Sequence, residues 1–593
     1  MLTSLSKAPG TSSRWYERGV LVLVAGSPFV FLAAFALEPL VQQGVGSFFN
    51  WYDLKPDTFS GLRDYRDVFA DSIARGALLH TVVYVAITVP LEVGLGLFGA
   101  WMVSRVRRGR GVLMALFVVP LVIPWTPAAN LFLGFFNYGG VLDGIRAHLF
   151  DAHQPVLWFQ DPRLAFAVIV LIGTWKGAPW CFLLMFAAIS ASRTDIFEAG
   201  RTDGARGIYY WLHVVIPSVW PMLVFVTVFR TFVEAQTYAS VALMTGGGPA
   251  NATQLASTYD QTLAFSYFQF GPASALSTLT GAALLVVAVG GFAVMRLGPG
   301  VVTSRFSALV AVPRWLKGRL VGTRTAHQVI FARREWRGPF WWVSSSKRRA
   351  GRANAGVLWL LAAVTLVPLL GGLPGHALQP TASLPWSLVS SGLANSAILT
   401  AATLLGTLLL AMPAAYLLAR GQSRLRSALF VFVLGALAVP GALLLLPQYQ
   451  EMAWLGLVNT LVGLALLYIA ANLPLAVFFL RAAFASVPET LVESMHVDGA
   501  SRWQIMTRLF IPLSASTIVT ISVFVVIAVF NEVPLAVTLL NSASLYPLPI
   551  LAALGTGGIG SLGASWLSVG PPLVLFLACQ RVFQRGMLSG PLL

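Results

Sequence analysis

Long apolar runs, separated by short polar segments, follow one another along almost the whole chain. A helix needs about 20 apolar residues to cross the hydrocarbon core of a bilayer, so each long run predicts a membrane-spanning helix. The first run follows three basic residues, but it is too long for a secretory signal and lacks a small-residue cleavage site, which predicts a retained span. The twelve predicted spans are 19–41, 76–104, 111–136, 164–189, 218–244, 273–296, 355–373, 393–419, 428–447, 459–480, 515–540 and 563–582.

The composition agrees with a bilayer as the solvent. The 593 residues are 57% hydrophobic and 10% charged, with a mean hydropathy of +0.77, whereas soluble domains carry about a quarter charged residues. The two cysteines, Cys181 and Cys579, each lie inside an apolar run, so neither a disulfide framework nor a metal site is predicted. The predicted fold class is an all-α polytopic membrane protein with twelve transmembrane helices.

Basic residues orient the predicted spans, because Lys and Arg are enriched in cytoplasmic loops. With the N-terminus in the cytoplasm, 31 of the 39 Lys and Arg residues fall in cytoplasmic segments. Both termini are then cytoplasmic, and the protein is expected to be a multi-pass component of a prokaryotic cell membrane. The eight exceptions, six in outer segments and two within spans, are Lys55, Arg63, Arg66, Arg75, Arg146, Arg163, Lys176 and Arg230.

The net charge of +17 is concentrated between the sixth and seventh spans. The stretch 296–352 has thirteen Lys and Arg residues and one acid, Glu335. Because basic residues beside a membrane are attracted to anionic lipid, we interpret this stretch as a cytoplasmic linker rather than a nucleic-acid site. The predicted organisation is a first half at 1–296, a basic linker at 297–354 and a second half at 355–593.

An internal repeat relates the two halves. The segment from Glu198 to Pro217 recurs from Glu493 to Pro512, and every matching residue is separated by 295 positions. Each copy lies between the fourth and fifth spans of its half, on the predicted cytoplasmic side, so the halves have the same orientation. An acid followed by Asp-Gly and a mixed apolar and basic segment is typical of two short helices that meet at a glycine.

These repeated segments resemble the EAA coupling motif of the permeases of bacterial ABC importers. The Glu, the Asp-Gly-Ala and the terminal Ile-Pro match in both copies, whereas Gly200, Ser494 and Met495 depart from the pattern at small helix-packing positions. The resemblance implies that an ATPase docks on the loops 190–217 and 482–512. The residues that it assigns to ATPase coupling are Glu198, Ala199, Asp203, Gly204, Ala205, Pro217, Glu493, Asp498, Gly499, Ala500 and Pro512.

The resemblance extends over nearly all of the chain outside the linker. There the chain is similar to carbohydrate permeases of the maltose-transporter group. The segments 245–249 and 265–275 resemble one subunit type, and 473–481, 487–489 and 531–532 resemble the other, here fused in one chain. The resemblance implies alternating access for a di- or oligosaccharide, two copies of a separate ABC ATPase, and an extracytoplasmic substrate-binding protein. No G-x-x-x-x-G-K-[ST] phosphate loop occurs, so the chain is predicted to be a non-enzymatic permease without a cofactor, with ATP and magnesium on the partner subunits.

Polar residues inside spans are costly and usually face a cavity or a partner. Glu92 follows Pro90, where a kinked helix suits a structural and a pathway role equally, and Arg230 and Glu234 have the spacing of an internal salt bridge. A sugar site needs amides or carboxylates for hydroxyl groups and aromatic faces for the rings. On that basis the predicted pathway residues are Trp175, Lys176, Glu234, Gln236, Tyr238, Asn472, Asn531 and Glu532.

Three alternatives stay open at this point. Fused permeases for ferric iron or thiamine use the same machinery, but by family resemblance their loops tend to lack the Asp found here at Asp203 and Asp498. A secondary transporter also has twelve spans but needs no paired coupling loops. A membrane-embedded enzyme needs a catalytic motif such as H-E-x-x-H or G-x-S-x-G, and neither occurs in the chain.

Overall fold

The computed structural model describes most of both halves, but only the beginning of the segment between them. The described residues are 26–52, 55–106, 109–150, 154–192, 194–205, 207–309, 366, 385–420, 423–437, 441–554, 566–579 and 582. Apart from residue 366, the predicted span 355–373 lies outside this set, as does the predicted linker from residue 310 onward.

Helices account for nearly all of the described first half, because a helix satisfies its own backbone polar groups within a bilayer. The only strands described are a short antiparallel hairpin that sequence reasoning missed, β1 (Phe49–Tyr52) and β2 (Lys55–Phe59). The helices are α1 (Gly26–Gly46), α2 (Arg63–Ala70), α3 (Ser72–Ser104), α4 (Arg110–Val122), α5 (Trp125–Phe136), α6 (Val141–Phe150), α7 (Pro162–Ala191), α8 (Thr194–Thr202), α9 (Gly207–Tyr210, continued by the π-helical turn Trp211–Val215 and by Ile216–Ser218), α10 (Trp220–Ala235), α11 (Ala239–Met244), α12 (Ala256–Gln261, continued by the π-helical turn Thr262–Ser266) and α13 (Phe270–Leu309).

The described second half is also helical, with two short 3₁₀ turns at Gly441–Leu444 and Ala543–Leu545. Its helices are α14 (Trp386–Ala419), α15 (Arg424–Leu437), α16 (Leu445–Trp454), α17 (Leu461–Ala485), α18 (Glu489–Val497), α19 (Arg502–Ile505, continued by the π-helical turn Met506–Phe510 and by Ile511–Leu513), α20 (Ala515–Asn531), α21 (Pro534–Leu539), α22 (Leu548–Leu554) and α23 (Trp566–Cys579).

Several predicted spans are broken rather than continuous. Six described helices are each long and apolar enough to cross a membrane, and three more candidates are helix pairs bent by more than 40°. The predicted span 111–136 bends by 96° between α4 and α5, because Ile123 is extended before Pro124 and a residue before proline avoids the helical conformation. The predicted spans 218–244 and 515–540 likewise ran too far, since their main helices end at Ala235 and Asn531. Hydropathy alone does not detect such breaks.

The span before the linker and the ninth span also differ from their predictions. Helix α13 continues past the predicted end of the sixth span to Leu309, so the predicted linker begins as helix. The predicted span 428–447 is divided, because α15 ends at Leu437 and a 3₁₀ turn precedes α16. Apolar composition persists across both boundaries and therefore could not place them.

The internal repeat is reproduced in the boundaries of the helices. Helix α8 corresponds to α18, the π-helical turn of α9 to that of α19, and α11 to α21. Both ends of each of these elements are shifted by the same 295 residues that separate the sequence repeats. Two copies of one sequence pattern therefore build two copies of one local structure.

Helix α7 lies at the centre of the first half and α13 at its periphery. In their most apolar windows, 83% of α7 residues are buried but only 11% of α13 residues. The exposed side chains of α13 include Leu285, Val286 and Val289, which suit a surface in contact with lipid. Residues of both halves share one apolar core cluster, so the halves pack directly against each other.

Helix α3 packs along α7, and its second-half counterpart α14 packs along α17. Close approach of α3 and α7 depends on Gly96, because a Cβ there would lie 2.7 Å from the backbone nitrogen of Phe182 and closer still to Cys181. Small residues of this kind let membrane helices approach closely and gain van der Waals contact.

We expect Gly96→Ala to lower the stability of the protein by about 1–3 kcal/mol, because backbone must move to relieve the overlap. The matched control is Gly94→Ala on the same helix, where an added Cβ meets nothing within 4 Å. Thermal unfolding of the detergent-purified protein measures the difference. Equal melting temperatures for the two variants would contradict this account of the helix contact.

Candidate functional site

The first repeated loop begins with helix α8, which ends in a turn formed by the Asp-Gly-Ala sequence. The Ala205 N–H donates to the Gly200 carbonyl across 3.0 Å, and the Asp203 N–H donates to the Ala199 carbonyl across 2.8 Å. Gly204 has a φ of +80°, the left-handed conformation that ends many helices and favours glycine. The motif therefore acts locally as a helix stop that satisfies terminal carbonyl groups.

The second loop repeats this turn at the end of helix α18. The Ala500 N–H donates to the Met495 carbonyl across 2.9 Å, and the Asp498 N–H donates to the Ser494 carbonyl across 3.0 Å. Gly499 has a φ of +75°. Because the two turns use corresponding atoms, the Asp-Gly-Ala sequence has one structural role in both halves.

A π-helical turn immediately precedes the Ile-Pro pair in each copy of the repeat. The Ile216 N–H donates to the Trp211 carbonyl, and the Ile511 N–H donates to the Met506 carbonyl. The proline that follows, Pro217 or Pro512, has no N–H and clashes with the carbonyl four residues earlier in a regular helix, so a wider turn accommodates it. The chain then bends by 75° into α10 in one half and into α20 in the other.

The predicted coupling residues lie at the surface of both loops. Glu198, Ala199 and Asp203 are exposed in the first copy, and Glu493 and Asp498 are exposed in the second. Ala205, Ala500 and Pro217 are half-buried, whereas Gly204, Gly499 and Pro512 are exposed. Large apolar side chains are exposed beside them, namely Ile196, Tyr209, Leu491, Val497 and Trp503. Each loop thus presents an acid next to uncovered apolar groups.

The departure from the EAA pattern at Gly200 has a packing reason. A Cβ at Gly200 would lie 2.8 Å from Cγ2 of Val214, in the π-helical turn that follows. Met495, at the equivalent position of the second copy, instead packs partly buried against the apolar core. The two loops therefore pack their first helix differently while keeping the same turn.

An ion network lies inside the first half, away from the loops. Arg230 binds both carboxylate oxygens of Glu92, at 2.7 and 2.8 Å, and also forms an ion pair with Glu234. The Tyr84 hydroxyl donates to Glu234 across 2.6 Å, and the Thr237 hydroxyl donates across 3.0 Å. The predicted salt bridge between Arg230 and Glu234 is therefore present. The Glu92 carboxylate binds Arg230 and does not face a water-filled space.

The described residues of the second half contain no counterpart of this network. Val525 and Val529 stand at the repeat positions of Arg230 and Glu234. Gly177 makes room for the network, because a Cβ there would overlap the Glu92 carboxylate and the Arg230 guanidinium. Since the oxygens of Glu234 are already engaged, its predicted contact with substrate requires the network to open.

Two of the predicted pathway residues meet across the interface between the halves. Lys176, on α7, donates to Oδ1 of Asn531, on α20, across 2.9 Å. Lys176 also donates to the Ile123 carbonyl, and its Nζ lies 5.0 Å from the centre of the Trp125 ring. Sequence reasoning named Lys176 and Asn531 separately but had no signal that would pair them.

The other predicted pathway residues have local contacts of their own. Gln236 and Asn531 each donate to a carbonyl four residues earlier on their own helix, at 2.7 Å, as expected for equivalent repeat positions. Asn472 lines a small cavity with Phe479 and Phe524. Tyr238 is half-buried between α10 and α11. The roles of these residues in a pathway stay predictions.

Two of the named residues have clear structural partners. Trp175 is buried, with its ring centre 5.4 Å from that of Phe132. Glu532 accepts hydrogen bonds from the Tyr468 hydroxyl at 2.9 Å and from the N–H groups of Leu535 and Ala536. A carboxylate at the start of α21 satisfies backbone donors that have no partner within the helix.

Aromatic rings join the halves on the side of Lys176 that faces the repeated loops. The Trp180 ring stacks on that of Phe524 with centres 5.3 Å apart, and the Phe225 ring stacks on that of Phe478 at 6.2 Å. Sequence reasoning missed these contacts, because aromatic residues are frequent throughout the spans and only the tertiary fold selects the pairs. The interface therefore changes from polar to aromatic toward the loops.

Comparison with known proteins finds one family twice in the chain. The family described as "Binding-protein-dependent transport system inner membrane component" matches residues 92–300 and 408–587, together more than half of the chain. The two matches confirm the prediction of two homologous halves in one polypeptide. Each match includes one complete repeated loop.

The following three similar proteins each match less than half of this chain. A sulfoquinovosyl glycerol transport system permease protein of Agrobacterium fabrum is 28% identical over 273 residues, 45% of this chain and 88% of that protein. A trehalose/maltose transport system permease protein of Thermococcus litoralis is 32% identical over 226 residues, 37% of this chain and 75% of that protein. Among solved structures, a bacterial ABC transporter involved in the import of alginate has 16% identity and a TM-score of 0.41, covering 48% of this chain and 96% of that chain.

We expect Arg230→Met to destabilise the protein by about 3–5 kcal/mol, because two buried carboxylates lose their cation. Combining it with Glu92→Gln and Glu234→Gln is expected to recover much of that loss, since the remaining groups are neutral. Thr227→Ala, at an exposed position of the same helix, is the control. Thermal unfolding in detergent measures all three, and a triple variant no more stable than Arg230→Met would argue against the ionic explanation.

Proposed function

Because the chain belongs to the family of inner membrane components of binding-protein-dependent transport systems, we propose that it supplies both permease halves of an ATP-driven sugar importer. Family membership confirms the prediction of a transport permease rather than an enzyme. The observation that carries the proposal is the duplicated loop, with the same helix stop, π-helical turn and 75° bend in each half. A transporter driven by a symmetric pair of ATPase subunits needs two such equivalent docking elements.

The geometry of the loops suits the transmission of movement. In each half the π-helical turn and the bend follow the docking helix within the repeated loop and lead into α10 or α20. These two helices carry Gln236 and Asn531 at their far ends. A shift of α8 and α18, produced by closure of the ATPase pair, would therefore reach the interface between the halves. A partner biases such an equilibrium only through its different affinity for the two states.

Sugars are the substrate class that we favour. The names of two relatives refer to sulfoquinovosyl glycerol and to trehalose or maltose. Asp203 and Asp498 in the two loops also separate this chain from the pattern expected of iron and thiamine permeases. The amide of Asn531 lies at the interface between the halves, and that of Asn472 lines a small cavity in the second half. Such amide groups are suitable partners for sugar hydroxyl groups.

The orientation follows from charge. The positive-inside rule assigns both termini and the two repeated loops to the cytoplasm, where two copies of an ABC ATPase would dock. The extracytoplasmic substrate-binding protein would then act on the opposite face. On this proposal the residues in contact with the ATPase include Glu198 and Glu493, whose carboxylates are exposed.

Uptake of labelled mono- and disaccharides by cells with and without this chain tests the proposed substrate class. We expect at least one sugar to accumulate only when the chain is present, because the polar substrate of a permease does not cross the bilayer without it. Ferric iron and thiamine serve as comparison substrates in the same cells. Uptake of either one, with no sugar dependent on the chain, would refute the sugar assignment.

We expect the double variant Glu198→Lys and Glu493→Lys to lose co-purification with its ATPase while remaining inserted, because reversed charges repel a cation on the partner. The control reverses two other exposed acids at the start of the same helices, Asp195 and Glu489. Affinity purification from membranes, with the permease amount measured in parallel, gives the readout. Unchanged recovery of the ATPase would remove these glutamates from the proposed interface.

A further inference from the structure

The ammonium group of Lys176 is buried between the two halves without an acidic partner. Only 6% of the residue is exposed, and its hydrogen-bond acceptors are the Ile123 carbonyl and the Asn531 amide oxygen. Within the described part of the chain, no carboxylate forms an ion pair with it. Both acceptors are neutral, so the ammonium group is hydrogen-bonded by them but receives no countercharge from them.

A buried charge of this kind is unfavourable unless it is paired, and Arg230 is a paired example in the same half. Transfer of an ammonium from water to a protein interior costs several kcal/mol unless a partner charge offsets it. Arg230 is flanked by two carboxylates, whereas Lys176 is not. The carboxylate oxygens of that network bind Arg230, Tyr84 and Thr237 rather than Lys176.

The position of Lys176 is not required by the repeat architecture. Ala471 stands at the equivalent position of the second half, so a cation is not needed to build a helix of this type. The surroundings also hold the ammonium in place. Ile123 follows the last residue of α4, where the helix ends before the 96° bend, and a cation at a helix C-terminus is favourable. The bend likewise brings the Trp125 ring beside the ammonium.

Lys176, Asn531 and Trp125 together offer three kinds of contact to a substrate. The ammonium attracts an anion, the amide of Asn531 can donate a hydrogen bond, and an aromatic face packs on a sugar ring. Asn531 belongs to the second half, so a ligand bound beside both Lys176 and Asn531 would contact both halves. An anionic group on that ligand would supply the negative charge that the described residues do not.

We propose that the permease carries sugars bearing a carboxylate or sulfonate group, and that Lys176, assisted by Asn531 across the interface, binds the acidic group. This inference rests on the proposed function as a sugar permease. A charge-assisted hydrogen bond is stronger than a neutral one, which favours an acidic sugar over a neutral sugar of the same size. The sugar ring would lie against Trp125.

The test measures binding and uptake with matched pairs of sugars and variants. The probes are a uronic-acid disaccharide, a sulfonated sugar glycoside and neutral maltose or trehalose, each labelled. The full permease is used with its ATPase and binding protein in proteoliposomes, and calorimetry on the detergent-purified permease–ATPase complex checks binding without the binding protein. The variants are Lys176→Gln, Lys176→Arg and, as control, Arg163→Gln at the exposed outer end of the same helix.

We expect wild-type permease to bind and transport at least one acidic probe. Lys176→Gln is expected to weaken that binding at least tenfold, with neutral-sugar binding changed less than threefold, while Lys176→Arg and Arg163→Gln remain close to wild type. Transport of neutral sugars only, or an equal loss of acidic and neutral binding in Lys176→Gln, would overturn the inference and leave the sugar permease intact. Failure of the wild type with every sugar would instead overturn the proposed function.

Discussion

Close contact between helices holds this molecule together, because lipid tails are as apolar as leucine and give membrane helices little hydrophobic reason to associate. Helices must instead gain van der Waals contact and internal hydrogen bonds. Gly96, Gly173 and Gly177 allow α3 and α7 to approach closely. A Cβ added at these positions would overlap Cys181, Tyr84 and the Glu92–Arg230 pair, respectively. The position of α7 determines where Lys176 and Trp180 meet the second half.

The same contact brings charged groups into a region where they must be paired. Glu92 on α3 reaches Arg230 on α10 past Gly177, and Glu234 completes the network. The second half builds the corresponding region from valines. The two halves therefore share the repeated loops and their 75° bends but differ in polarity at their centres. Such asymmetry suits a substrate pathway, since a symmetric site would present the same groups twice to an asymmetric sugar.

The Asp-Gly-Ala and Ile-Pro sequences of the duplicated loops have a local structural role in each half. The glycine of Asp-Gly-Ala ends a helix in the left-handed conformation, and the proline thirteen residues later forces a wider turn and a bend. In each half a short surface helix, a bend and a membrane helix thus follow one another along the chain. The physical requirements of helix termination and of proline explain the Gly and the Pro of the motif.

Sequence alone determined the class of the protein, because apolar length, basic residues and a repeat of constant offset are local properties that survive without coordinates. It also identified the loops and the matching positions Gln236 and Asn531. The sixth-span extension, the broken spans and the β1–β2 hairpin were missed, since hydropathy does not record backbone geometry. Only the tertiary structure decided that Glu92 pairs with Arg230, that aromatic rings join the halves, and that Lys176 meets Asn531 across the interface. Those contacts join residues separated by more than a hundred positions, and their partners depend on how helices pack rather than on the pattern along any one helix.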